Sequence, residues 1–200
     1  MAEKISKELG IKAFWIPVGI DISDYSKGEN LASREIDVYE LGRQMRNYHQ
    51  ILENTLGKGQ LVCNKYDSNG ALLQLAYPTA QDLLEHLNKT KIIISFPQAD
   101  THPERAGGLE TLTQRYWEAM LSGCLILGRA PQELIDFIGY NPVIDIDWSA
   151  PENQILSILS NIAQYQKWVD KNYETARNLA SWDLRIQQIK TILSQNGYSM

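Results

Sequence analysis

Cysteine and histidine are scarce in this chain, and their scarcity removes several chemistries at once. The two cysteines, Cys63 and Cys124, are too few and too far apart for a disulfide framework or a cysteine-type metal motif. They read as reduced thiols of a cytosolic protein. The three histidines, His49, His86 and His102, fall in separate segments without ligand spacing. No apolar run approaches the roughly 20 residues of a membrane span. The opening stretch, MAEKISKELG, lacks the apolar centre of a signal peptide. A cytoplasmic location is therefore expected, with at most a peripheral attachment to a membrane. Basic residues are in deficit, 19 against 24 acidic, for a net charge of −5. A nucleic-acid surface needs a dense positive face, so nucleic acid is not an expected partner. Phosphate-binding glycine motifs are missing too. No G-x-G-x-x-G and no G-x-x-x-x-G-K-[ST] occurs, which disfavours a dehydrogenase and a P-loop NTPase. No G-x-S-x-G nucleophile elbow occurs either.

What is present is ordinary soluble globular usage, 44% hydrophobic and 22% charged. A length of 200 residues fits one domain with a substantial core. Residues 11–20, IKAFWIPVGI, are apolar and β-rich, and polar residues follow to Ser33. From Arg34 the pattern becomes regular. Strands are expected at 36–41, 60–64, 71–76, 91–96, 124–128 and 142–146. Helices are expected at 43–56, after Thr79 with Leu83, Leu84 and Leu87 on one face, at 110–122 and 131–138, and again from 149 to about 193 with a break near Asn172 or Ala180. Thr79 stands as a helix cap, and Ser149 with Glu152 has the spacing of a capping box. Asp67, Ser68, Asn69 and Gly70 form a strong turn signal. The continuous run KIIISF suits a strand buried on both faces of a parallel sheet. Strands alternating with helices predict an α/β protein with helices on both faces of such a sheet.

Ligands of open parallel sheets bind at the carboxyl ends of the strands. That puts the segments 41–46, 76–79 and 96–110 in play. The last is long against the usual two to six or so residues of a strand-to-helix loop. Arginines gather at these places: Arg43 and Arg46 start one helix, Arg105 lies in the long loop, Arg115 lies early in the next helix and Arg129 follows a strand. The helix dipole disfavours cations there, and a bound anion would reverse that preference. Solvated surface arginines are the plain alternative. Glu110 and Glu118 stand eight positions apart, about 80° from a whole number of helical turns. They would not share one helix face. His102 in the long loop could approach a ligand.

The segment 110–127, ETLTQRYWEAMLSGCLIL, resembles the donor-site segment of GT-B glycosyltransferases of the group 1, retaining type. That signature is E-x7-E followed by A-M-x-x-G and an apolar strand, and Glu110, Glu118, Ala119, Met120, Gly123 and Leu125–Leu127 stand in those places. Arg115-Tyr116-Trp117-Glu118 is similar to the R-[FYW]-[FYW]-E variant of one subset. IDVYELGRQMR resembles the strand and Gly-Arg loop that meet donor phosphate, and WIPVGIDISDY the stretch linking the two Rossmann-like halves. The resemblance spans about residues 11–195. Two departures stand out. The usual E-G-F-G is Glu110-Thr111-Leu112-Thr113 here, so threonines replace its two glycines, and the usual lysine beyond Gly-Arg is absent, leaving Arg46 or Lys58 to serve.

The resemblance implies a Rossmann-like parallel sheet sandwiched by helices, one half of a GT-B enzyme. Residues 1–33 would be a hinge or linker segment, 34–147 the donor-binding domain, and 148–200 helices packing on that domain. It implies transfer of a sugar from a nucleotide-sugar to an acceptor with retention of configuration, in concert with an N-terminal acceptor domain that these residues do not include. No cofactor and no metal are implied, the nucleotide-sugar being the substrate. Glu110 would approach the sugar ring as the catalytic-site carboxylate. Gly42, Arg43, Arg46, Thr111 and Arg115 would line the donor, Glu118 would contact the ribose, and Tyr77 would serve the base pocket. A non-catalytic nucleotide-binding or regulatory α/β module is the alternative. A receiver-like module is disfavoured because Asp37 falls inside a strand rather than at its end, and a sugar-phosphate isomerase or epimerase by the missing glycine fingerprint.

Overall fold

The computed structural model describes residues 2–67 and 70–198. An amino-terminal helix, α1 (Ala2–Leu9), precedes an extended stretch. Then follow β1 (Ile36–Glu40), α2 (Arg46–Thr55), β2 (Leu61–Cys63), β3 (Lys65–Tyr66), β4 (Leu72–Gln74), α3 (Ala80–Asn88) and β5 (Thr90–Ser95). Two single-turn helices, α4 (Gln98–Thr101) and α5 (Pro103–Ala106), lead to α6 (Gln114–Leu121), β6 (Leu125–Gly128), α7 (Gln132–Ile138) and β7 (Ile144–Asp145). Three helices close the chain: α8 (Pro151–Ser160), α9 (Gln166–Leu179) and α10 (Trp182–Gln195).

The main sheet has the order β2-β1-β5-β6-β7, and every neighbouring pair in it is parallel. Side chains alternate between two separate cores, as the two-residue period of a strand requires. Tyr39, Ile93 and Ile126 face one core with Trp117, Met120 and Ala176. Val38, Ile92, Ile94, Leu125 and Leu127 face the other with Tyr48, Leu52, Ile155 and Val169. Both faces are covered, so the central strands read as unbroken apolar runs. No helix of the described residues is long and apolar enough to cross a membrane.

Several expectations are corrected by tertiary context. Residues 11–20 form no strand. They are an extended strap, with Ile20 bridged to Ser181 and its N–H donating to Ala180 O at 2.9 Å. Trp117 Nε1 donates to Val18 O at 3.0 Å, and a Cβ on Gly19 would stand 2.9 Å from the Trp182 ring. The 71–76 run leaves the parallel sheet, since β4 pairs antiparallel with β3 as a separate hairpin. Gly70 N–H donates to Asp67 O at 3.0 Å, closing the turn whose Ser68 and Asn69 lie outside the described residues. Thr79 does cap α3, accepting from Asp82 N–H. Ser149 makes no capping box, because its hydroxyl donates to Asp147 at 2.6 Å and α8 starts after Ala150. The terminal helices break at Asn161 and Ala180, whereas Asn172 lies inside α9. There Asn172 is buried, donating to Pro142 O at 2.9 Å and accepting from Tyr140 Oη at 2.9 Å.

Candidate functional site

The carboxyl ends of β1 and β5 lie side by side where the strand order turns back, the place where sheets of this kind leave a crevice. β1 runs into Leu41 and Gly42. Gly42 has φ of +87°, and a Cβ there would stand 2.5 Å from Nε and Nη2 of Arg115. The Tyr66 hydroxyl of the β3–β4 hairpin donates to Gly42 O at 2.8 Å, and Asn64 Oδ1 accepts from Ala76 N–H at 2.9 Å. The hairpin thus folds over the 41–46 loop, with its Gly70 beside the Arg46 guanidinium.

Arg115 projects from the first turn of α6 and is partly buried. Among the described residues, nothing accepts a hydrogen bond from it and no carboxylate lies within ion-pair distance. Burial lowers its tendency to hold a proton, opposed mainly by the field of Glu118. Arg43 has its proton affinity lowered by burial and then by Arg115, and its Nε is buried without a partner. His102, between α4 and α5, likewise has a buried Nδ1 without a partner. Its pKa is pushed below the ordinary histidine value by lost hydration and by Arg105, Arg43 and Arg46. A chain of net charge −5 therefore gathers Arg43, Arg46 and Arg115 at one edge of its sheet, with the Glu118 carboxylate opposing Arg115. Burying an uncompensated cation is costly. Phosphate oxygens would supply the missing acceptors.

The long loop is not structureless, since α4 and α5 lie in it. The helix expected from residue 110 starts at Gln114, so Glu110 and Glu118 are not bound by helical spacing. Glu110 Oε1 accepts from Gln132 N–H at 2.6 Å at the start of α7, and Oε2 accepts from Arg129 Nη2. Arg129 also holds Asp100 through Nε at 2.6 Å and Nη2 at 2.8 Å. Glu133, which the sequence did not single out, accepts from Leu112 N–H and from Trp15 Nε1, fastening the loop and the amino-terminal strap to α7. Thr111 is exposed.

Glu118 is partly buried, with its pKa raised by lost hydration and drawn back by Arg115 and Tyr25. The Tyr25 hydroxyl reaches Glu118 Oε1 in a long contact of 3.5 Å. Tyr77 is not an open stacking platform. Its ring lies on His86 at 3.9 Å, with its edge arrangement on Tyr39 at 5.3 Å. A crevice of about 430 Å³ is lined by Met45, Phe96, Gly128, Arg129, Asp145 and Trp148 among others. A second hollow of about 260 Å³, lined by Glu29, Arg34 and Lys89, contains none of these arginines. One Asp-x-Asp pair, Asp145 and Asp147, stands at the end of β7. Asp147 is turned into hydrogen bonds with Ser149 and Asp145 into one with Asn141. The arrangement brings together Gly42, Arg43, Arg46, Arg115 and Glu118, sets Glu110 on the Arg129 side, and leaves Tyr77 half-buried against His86 and Tyr39.

No protein-family model matches the sequence, and no curated protein matches it. Twelve solved chains do match in structure. One is sucrose-phosphate synthase from Thermosynechococcus elongatus, with a TM-score of 0.64 over 96% of this chain at 15% identity. The two share the parallel sheet flanked by helices over that length. This chain covers 55% of the synthase chain, about half its length. At that identity the likeness is one of fold.

Proposed function

We propose that this domain is the donor-binding half of a retaining glycosyltransferase. The observation that carries the reading is the pair of guanidinium groups beside Gly42, Arg43 and Arg115, which have no hydrogen-bond acceptor among the described residues. A nucleoside diphosphate would supply those acceptors, with the exposed Arg46 adding positive field and the His102 imidazole gaining charge as the anion draws a proton onto it. The arginines would do the work that a divalent cation does elsewhere, so neither cofactor nor metal is needed for the diphosphate. Glu118 would accept from the ribose hydroxyls. The sugar would extend toward the Arg129 crevice, where Glu110 would meet it. A carboxylate has about four acceptor sites, so the two bonds it makes leave room for a hydroxyl. Thr111 would border the donor next to Glu110. With the Tyr77 ring stacked on His86, the backbone of 76–79 would meet the base. The acceptor would be held by a separate acceptor domain, since transfer needs both reactants positioned.

The test is calorimetric titration of UDP, GDP and ADP against the matching nucleosides, on wild type and Arg115→Ala. At least one diphosphate should bind, its nucleoside much more weakly, and the variant should lose most of that difference. Absence of binding by every diphosphate, or equal losses for diphosphate and nucleoside, would overturn the reading.

A further inference from the structure

We propose that Glu40, His49 and Cys63 form a transition-metal site, and that zinc is the ion their donors fit. Glu40 ends β1 and Cys63 ends β2, and the parallel register makes the two residues direct neighbours. His49 reaches the same place from α2. One donor atom from each lies within 4.8 Å of the others. Zinc with sulfur, nitrogen and oxygen ligands at about 2.0–2.3 Å needs donors roughly 3.3–3.8 Å apart. A small inward movement of the side chains closes the site. Three protein donors leave a fourth position for water. Thiolate and imidazole select zinc over magnesium or calcium.

Two independent observations favour a cation at this place. Glu40 is 1% exposed, and its Oε1 is buried without any hydrogen-bond partner. A buried carboxylate with a bare oxygen is costly unless something positive completes it. The other oxygen faces His49 Nδ1 and accepts from the Gln44 amide at 3.3 Å. Second, His49 Nε2 faces the Glu53 carboxylate at 3.4 Å, one helical turn on. That is the carboxylate–histidine–metal relation, in which the outer carboxylate fixes the tautomer and makes the inner nitrogen a better donor. Burial and the charges of Glu40 and Glu53 push the Cys63 thiol up. A divalent ion reverses that sign and takes the thiolate, releasing the proton to solvent.

The chain is stripped with chelator, dialysed and titrated with Co²⁺, then with Zn²⁺. One equivalent of cobalt should give the near-ultraviolet thiolate-to-cobalt charge-transfer band and the intense visible bands of four-coordinate cobalt. One equivalent of zinc should erase both. Zinc should also protect Cys63, mapped by mass spectrometry, from alkylation. Cys63→Ser and His49→Gln should each weaken zinc binding at least 100-fold, and Glu53→Gln about 10–100-fold. Absence of the charge-transfer band in wild type overturns the site, as does equal zinc affinity in folded Cys63→Ser. Should either variant fail to fold, the wild-type cobalt spectrum and the alkylation map decide by themselves.

Discussion

Gly42 lacks a side chain at the position where Arg115 fills the space that one would need. Its φ is +87°, and a Cβ would stand 2.5 Å from two guanidinium nitrogens. The loop after β1 and the first turn of α6 are thereby fitted to each other. Gly42→Ala should cost about 1–3 kcal/mol, combining left-handed backbone strain with displacement of the arginine. Adding Arg115→Ala should recover the displacement part and leave the strain. Urea denaturation of both singles and the double gives the coupling. Strict additivity would show that the two residues do not share that space.

Arg115→Ala alone should leave the free protein as stable or more stable, since it removes a partly buried cation beside Arg43. The same change should weaken nucleoside diphosphate binding by about 1.5–3 kcal/mol, the worth of a charge-assisted bond to phosphate. Thermal melting with and without ligand separates the two effects. A lower melting temperature with unchanged affinity would make Arg115 structural.

Diphosphate binding should strengthen as the pH falls from about 7 to 5.5. His102 has its pKa lowered by lost hydration and neighbouring arginines. In the free protein this costs stability as the pH falls from the ordinary histidine value of about 6.5 through the lower folded value. A bound anion favours the charged imidazole and turns the penalty into attraction. The terminal phosphate of the ligand takes up its own proton near pH 6 or so and pulls the other way. The measurement is therefore the difference between wild type and His102→Asn across that range. Identical pH profiles would remove His102 from the site.

Glu118→Gln should reduce the preference for a ribonucleotide over its 2′-deoxy analogue, with a loss of about 1–3 kcal/mol. Burial raises the pKa of Glu118 while Arg115 holds the charged form in place. An amide retains a single acceptor oxygen. Paired titrations of both nucleotides on both proteins check this. A wild type that does not discriminate, or a variant that discriminates equally, would assign the ribose elsewhere.

Chelator-treated protein should lose stability as the pH rises above about 6.5. His49 has its pKa raised, chiefly by its bond to Glu40. A raised folded value means that the stabilisation is complete below the unfolded value and disappears as pH climbs through the folded one. Denaturation midpoints between pH 6 and about 9 should slope downward in wild type and flatten in His49→Gln. A wild-type slope unchanged by the substitution would place the titrating group elsewhere.

Strand and helix alternation, the two-sided burial of β5 and β6 and the Thr79 cap were legible in the sequence, because periodicity and capping are written within a few neighbouring residues. So was the placing of Gly42, Arg43 and Arg115 near strand ends. Local pattern could not say that the 71–76 run would leave the sheet, since an apolar stretch pairs with whichever edge the fold offers. Nor could it show that α6 starts only at Gln114, which frees Glu110 to reach Arg129 and the start of α7. The half-burial of Tyr77 against His86 and Tyr39 is a packing outcome of the same kind. Glu40, His49 and Cys63 have no motif spacing because a parallel register and a crossover helix, rather than adjacency in the chain, bring them together. The sequence by itself determined the layers and the edge at which chemistry could gather. The tertiary structure decided which charges meet there and which are left without partners, because only packing removes the water that would otherwise have satisfied them.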